Sequence, residues 1–170
     1  MKKLFTAAGA ALAITIFAVS SSFAQATATA TASATIVTPI SISKTVDINF
    51  GNVAVTGTAG TVVLAPAGTR TATGGITLPA VTGTVAAASF TVTGQGAYTY
   101  SITLPSSALT ISSGGNSMTV DTFTSTPSST GTLSAGTQTV NVGATLNVAA
   151  SQAAGTYISA TPFSVTVNYN

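Results

Sequence analysis

Cysteine, histidine and tryptophan are absent from the 170 residues, and the only two acidic residues are Asp47 and Asp121, so glutamate is absent as well. Without histidine and cysteine, the commonest general base, the thiol nucleophile and the usual ligands of a transition metal are all missing. No catalytic, cofactor-binding or metal-binding set is expected, and no enzyme. Disulfides are excluded too, which leaves stability to side-chain packing and backbone hydrogen bonds.

Charge is almost as scarce. Charged residues make up 4% of the chain, against about 25% in an ordinary soluble domain. The formal net charge of +2 depends on Lys2 and Lys3; from residue 25 onward, Lys44 and Arg70 balance Asp47 and Asp121. Such a chain cannot neutralise a row of phosphates, so nucleic acid is excluded as a partner, and no basic face is available for anionic lipid. A surface hydrated by Ser, Thr and Asn also lacks the charge repulsion that keeps copies apart. Association with like or related subunits is the expectation.

Three fragments of catalytic motifs fail on context. Two carboxylates could in principle serve a glycosidase, but Asp47 reads as a strand-edge charge and Asp121 as a bulge residue. Ser41-Ile-Ser-Lys44 has the spacing of a serine acyltransferase motif that requires a helix, yet it lies in alternating strand sequence. Gly94-Gln-Gly96 lacks the third glycine and the following helix of a dinucleotide loop, and reads as a turn.

What is present begins with a leader. Lys2 and Lys3 precede a mostly apolar stretch to Val19, and Ser22 and Ala24 stand where a signal peptidase reads small residues. A secretory signal over 1–24, cleaved before Gln25, is expected, with no membrane span left afterwards. Residues 25–35 alternate Ala with Thr or Ser, a period of two that excludes an amphipathic helix. This extension could be a flexible tail, a first strand, or a strand lent to a neighbour. In the last case Ala28, Ala30, Ala32, Ala34 and Ile36 would face the acceptor.

From residue 36 to 170 the sequence predicts one all-β sandwich. Ile40 and Ile42 share a parity that Val46, Ile48 and Phe50 continue. Short strands are expected at 61–65, 69–73 and 76–78, broken by glycine and proline. Ser89–Thr93 and Ala97–Leu104 read as an antiparallel hairpin across Gly94-Gln-Gly96. Leu109 and Ile111 pair across Gly114-Gly115 with Met118 and Val120, and Asp121-Thr-Phe123 shifts the phase as a bulge would. Pro127 to Gly136 reads as a polar loop, Val140 to Val148 as a strand, and Ala149 to Ala154 as a possible helical turn. Phe163, Val165, Val167 and Tyr169 then share one face of a closing strand over 163–170. Strands recurring about every ten residues with turns between them indicate a sandwich. Aromatic residues at 6% are too few for the girdles of a membrane barrel.

Pro39-Ile-Ser-Ile with Val46-Asp-Ile-Asn-Phe-Gly51 resembles the opening of a family of secreted bacterial proteins known as a domain of unknown function. Relatives of that family include spore-coat protein U and the archaic chaperone–usher pilins. Phe90 to Leu104 resembles the segment where protein U members carry a cysteine, a place taken here by Gly94. Val142-Gly-Ala-Thr-Leu, Ala154-Gly-Thr-Tyr157 and Phe163 to Tyr169 resemble the family's closing strands. The resemblance implies an immunoglobulin-like, pilin-like sandwich that assembles by strand addition. It implies a periplasmic chaperone and an outer-membrane usher as partners, and a fimbrial, coat-like or adhesive role at the cell surface. A self-complete module binding a glycan or surface ligand, with Tyr98, Tyr100 and Tyr157 as stacking groups, is the alternative.

Overall fold

The computed structural model describes residues 24–170, so the leader expected over 1–24 lies outside the described residues except for Ala24. The chain forms two units, Met1–Thr35 and Ile36–Asn170. In the first, residues 24–35 form no strand or helix and are exposed throughout.

The second unit is all β. Its strands are β1 (Ser41–Val46), β2 (Asn49–Phe50), β3 (Ala54–Leu64), β4 (Arg70–Thr77), β5 (Val85–Ala86), β6 (Ala88–Thr93) and β7 (Thr99–Thr103). They continue with β8 (Leu109–Ser113), β9 (Asn116–Thr126), β10 (Thr130–Thr132), β11 (Thr137–Val148), β12 (Ile158–Ser159) and β13 (Thr166–Tyr169). A large sheet runs β1-β6-β11-β9-β8-β12, with β3 also on β11 and β4 on β3. A small sheet runs β10-β7-β13, and β2 pairs with β5. Every strand pairing is antiparallel.

β11 is the strand the others are built on. One edge pairs with β9 from Asn141 to Asn147. The other edge is divided: Thr137–Val142 pair with β6 and Ala144–Val148 with β3. Its inward side chains divide in the same way. Val140 and Val142 enter a core with Phe90, Val92, Tyr100, Ile102, Leu133 and Val167. Ala144, Leu146 and Val148 enter a second core with Phe50, Val62, Leu64, Ile76 and Val120. Each buried Val or Leu contributes about 1.5–3 kcal/mol, so alternation along this one strand secures both halves of the sandwich.

The outward positions of β11 are Thr137, Thr139, Asn141, Thr145 and Asn147, with Gly143 buried between them, and threonine dominates the neighbouring strands as well. Hydroxyls meet across strands at Ser41–Thr93 (2.7 Å) and Thr61–Thr73 (2.8 Å). The β-branched threonine suits a pleated surface and supplies hydration without charge.

The sequence reading holds where partners are close along the chain. β8 and β9 pair from Ser113↔Asn116 onward, and Gly114 and Gly115 both take positive φ, as a two-residue hairpin turn requires. The bulge expected at Asp121-Thr-Phe123 is present as a register shift against Gly143/Thr145, with Thr122 at φ 49°.

It fails where pairing is long-range. Ser89–Thr93 and Ala97–Leu104 do not form a hairpin. β6 pairs with β1 and β11, whereas β7 pairs with β10 and β13 in the other sheet. Phe90 and Val92 face Tyr100 and Ile102 across the core instead of lying beside them. The connection is bonded to the 133–136 turn by Gly94 N–H to Gly136 O (2.9 Å) and Ala97 N–H to Leu133 O (3.0 Å). The strands expected at 69–73 and 76–78 are one strand, β4, continuous through Gly74-Gly75. The parity from Ile40 to Phe50 is broken by a bulge between Lys44 and Val46. The loop expected at 127–136 contains β10 and buries Leu133. Residues 149–154 form a turn with no helix.

Arg70 secures the β2–β5 ribbon. Its Nη1 donates to the carbonyls of Phe50 and Asn52 (2.8 Å to the latter), and its Nη2 to Thr82 (3.4 Å). No carboxylate takes part, so the guanidinium acts as a fork gathering three main-chain oxygens. Arg70→Ala is expected to cost about 2 kcal/mol in urea unfolding. Arg70→Lys should restore less than half of that, because a point ammonium cannot span the same acceptors.

Candidate functional site

Among the described residues no three His, Cys, Asp or Glu side chains lie close enough to hold a metal ion. Lys44 and Asp47 bond each other at 2.7 Å on the surface. Asp121 accepts from Asn147 Nδ2 at 2.9 Å and from Thr122 Oγ1 at 3.0 Å. Ser41 Oγ is bonded to Thr93 Oγ1, so Ser41 and Lys44 do not form a catalytic pair. A shallow depression of about 520 Å³ over β3, β9 and β11 is lined by residues such as Thr61, Met118, Thr119 and Asn147 and has no titratable side chain.

The feature with chemical potential is backbone. β1 pairs only with β6, and β13 only with β7. The two strands approach each other without exchanging a ladder. Each therefore carries a row of main-chain donors and acceptors with no strand partner among the described residues. Both edges border the first core, where Ile40, Ile42, Leu104, Phe163 and Tyr169 are packed but only partly buried. The seam thus places unpaired strand edges beside incompletely covered apolar side chains.

The closing strand has the expected facing. Val165 and Val167 are buried, Phe163 and Tyr169 half-buried, and Ser164, Thr166, Asn168 and Asn170 exposed. Phe163 packs edge-on to Phe90 at 6.3 Å and against Phe123 at 5.0 Å. Its ladder is shorter than expected, running only from Thr166 to Tyr169, and it lies at the edge of the small sheet. Ala28, Ala30, Ala32 and Ala34 are exposed and outside any strand. Ile36 is 98% exposed, an apolar side chain with nothing packed on it.

Of the tyrosines considered for stacking, Tyr100 is fully buried and donates to Gln138 Oε1 at 2.7 Å. Tyr157 is engaged with Ala153 O and Gln152 Nε2. Tyr98 is 43% exposed but packs against Tyr169 at 5.5 Å. The three do not make a common platform. Sequence reasoning missed the seam itself, since an edge is defined by the partner a strand lacks; Pro39 and the strand-edge charge of Asp47 were the signals that pointed towards it.

Residues 40–169 match the family model described as Domain of unknown function (DUF4402). No curated protein and no solved structure is significantly similar to the chain.

Proposed function

The chain belongs to the DUF4402 family, and we propose that it is a secreted, non-enzymatic structural subunit that assembles at the cell surface by strand addition. The acceptor in this reading is the seam between β1 and β13. The donor is the alternating segment 26–36 of a second copy or a related subunit, with a chaperone and usher handling the open seam during export. The observation that carries the proposal is the pair of unpaired edges flanking half-covered apolar residues. Support also comes from the exposed, period-two segment 24–35, from the free Ile36 and from the scarcity of charge. Strand addition draws its affinity from main-chain bonds and its register from alternate side chains. The alanines bury little area, so Ile36 and half-buried Val37 supply much of the apolar grip. Tyr100, being inside the core, favours this reading over a glycan-binding module.

The test is to export the full sequence and a version lacking residues 25–35, then compare them by size-exclusion chromatography and negative-stain microscopy. The full sequence is expected to yield a series of oligomers and the shortened chain a single monomeric species. Identical monomers from both would end the proposal.

A further inference from the structure

At one end of the sandwich the two ends of the domain are tied together through a single hydroxyl. Tyr169 Oη donates to Thr38 O at 2.8 Å and accepts the Gln95 N–H at 2.6 Å. Thr38 in turn donates its N–H to Gln95 Oε1 at 3.3 Å. Both main-chain polar groups of Thr38 are therefore held by side chains, and Pro39 restricts Thr38 further to extended backbone. The residues joined are 131 apart in sequence.

The space for that hydroxyl is built in. A Cβ on Gly94 would stand 2.2 Å from Tyr169 Oη and 3.0 Å from Leu133 Cδ1, so any larger residue would push the phenol away. The ring itself is braced by Tyr98 at 5.5 Å. Its only ladder partner is Tyr100, the last pairing of β13. The hydroxyl consequently reaches Thr38 only while β13 is paired to its end.

We infer that Tyr169 is a positioning residue for strand donation: it holds the root of the N-terminal segment at Thr38, and does so only in a copy whose closing strand is fully seated. The purpose assigned to this contact rests on the strand-addition reading; the contact itself does not. A donor strand that starts from a fixed root loses less conformational freedom on docking than one that starts from a loose one. Premature donation by an incompletely folded copy is disfavoured by the same contact.

The experiment uses the full chain with Tyr169→Phe, which keeps the ring and removes the hydroxyl, and Gly94→Ala, which keeps the hydroxyl and displaces it. Hydrogen exchange should quicken roughly five- to tenfold at the Gln95 amide in both variants, the change expected when its acceptor is lost. The Thr38 amide, bonded to Gln95 Oε1, should quicken to a smaller extent as its carbonyl is released. The thermal midpoint of Tyr169→Phe should stay within about 3 °C of the parent, while oligomer yield falls several-fold. Parental exchange at both amides would overturn the inference, as would acceleration spread evenly over the chain. Local acceleration with undiminished oligomer yield would overturn the positioning role while leaving strand addition intact. Failure of strand addition itself would appear separately, as equal behaviour of the parent and the chain lacking residues 25–35.

Discussion

Tyr100→Ala is expected to lower the free energy of unfolding by about 4 kcal/mol, the range for emptying a large aromatic site in a packed core. Tyr100 has no exposed surface and stands among Phe90, Val140, Val142, Ile102 and Val167. Its ring fills the space between the small sheet and β11, so neither side can close the cavity without moving a strand. Its hydroxyl adds a second link, since Gln138 Oε1 accepts both from Tyr100 (2.7 Å) and from the Thr132 N–H (2.9 Å). Tyr100→Phe should cost only about 1 kcal/mol, because Gln138 keeps one of its two donors. Urea unfolding of the two variants separates the packing and hydroxyl contributions.

The same residue sets an alkaline limit. Burial raises the Tyr100 phenol above its ordinary value of 10.0. The folded state therefore holds the proton more tightly than the unfolded chain does. The stability this contributes is fully present below the unfolded value and is lost as pH rises through the folded one. Unfolding curves at pH about 9 and about 11 should show parental stability falling more than that of Tyr100→Phe. Equal falls would exclude Tyr100 as the source.

Gly143→Ala is expected to cost about 3 kcal/mol, through overpacking against backbone. Gly143 lies where the edge of β11 passes from β6 to β3, between Val142↔Ala88 and Ala144↔Leu64. A Cβ there would meet Leu64 O at 2.1 Å, Ala65 C at 2.7 Å and Pro66 N at 2.8 Å. None of these is the end of a flexible side chain, so β3 would have to leave the edge earlier or β11 would have to bend. Gly57→Ala is the control: a Cβ there meets nothing within 4 Å, and the reduced freedom of the unfolded chain should leave stability level or slightly higher. Urea midpoints that move equally in the two variants would exclude steric crowding at the fork.

Local pattern made several elements legible. The facing of Phe163, Val165, Val167 and Tyr169, the parity of Val140, Val142, Leu146 and Val148, and the β8–β9 turn at Gly114-Gly115 all follow from alternation and turn chemistry. Gly94-Gln-Gly96 misled because its composition suits a hairpin turn and a crossing between sheets equally well. What distinguishes them is the partner of β7, which lies in β10 and β13, far along the chain. Leu133 escaped notice because its neighbours are polar, and its burial is set by the 94–98 connection folded over it.

Composition and period by themselves determined the all-β class and the inward and outward faces of the alternating strands, β6, β7, β11 and β13 among them. These are properties of each segment taken alone, because a side chain's facing depends on its immediate neighbours. The fork at Gly143, the division into two cores, the unpaired edges of β1 and β13 and the tie from Tyr169 to Thr38 were decided only by the tertiary structure. Each depends on which distant strands share an edge. A period of two is the same whichever neighbour a strand has, so alternation cannot encode that choice.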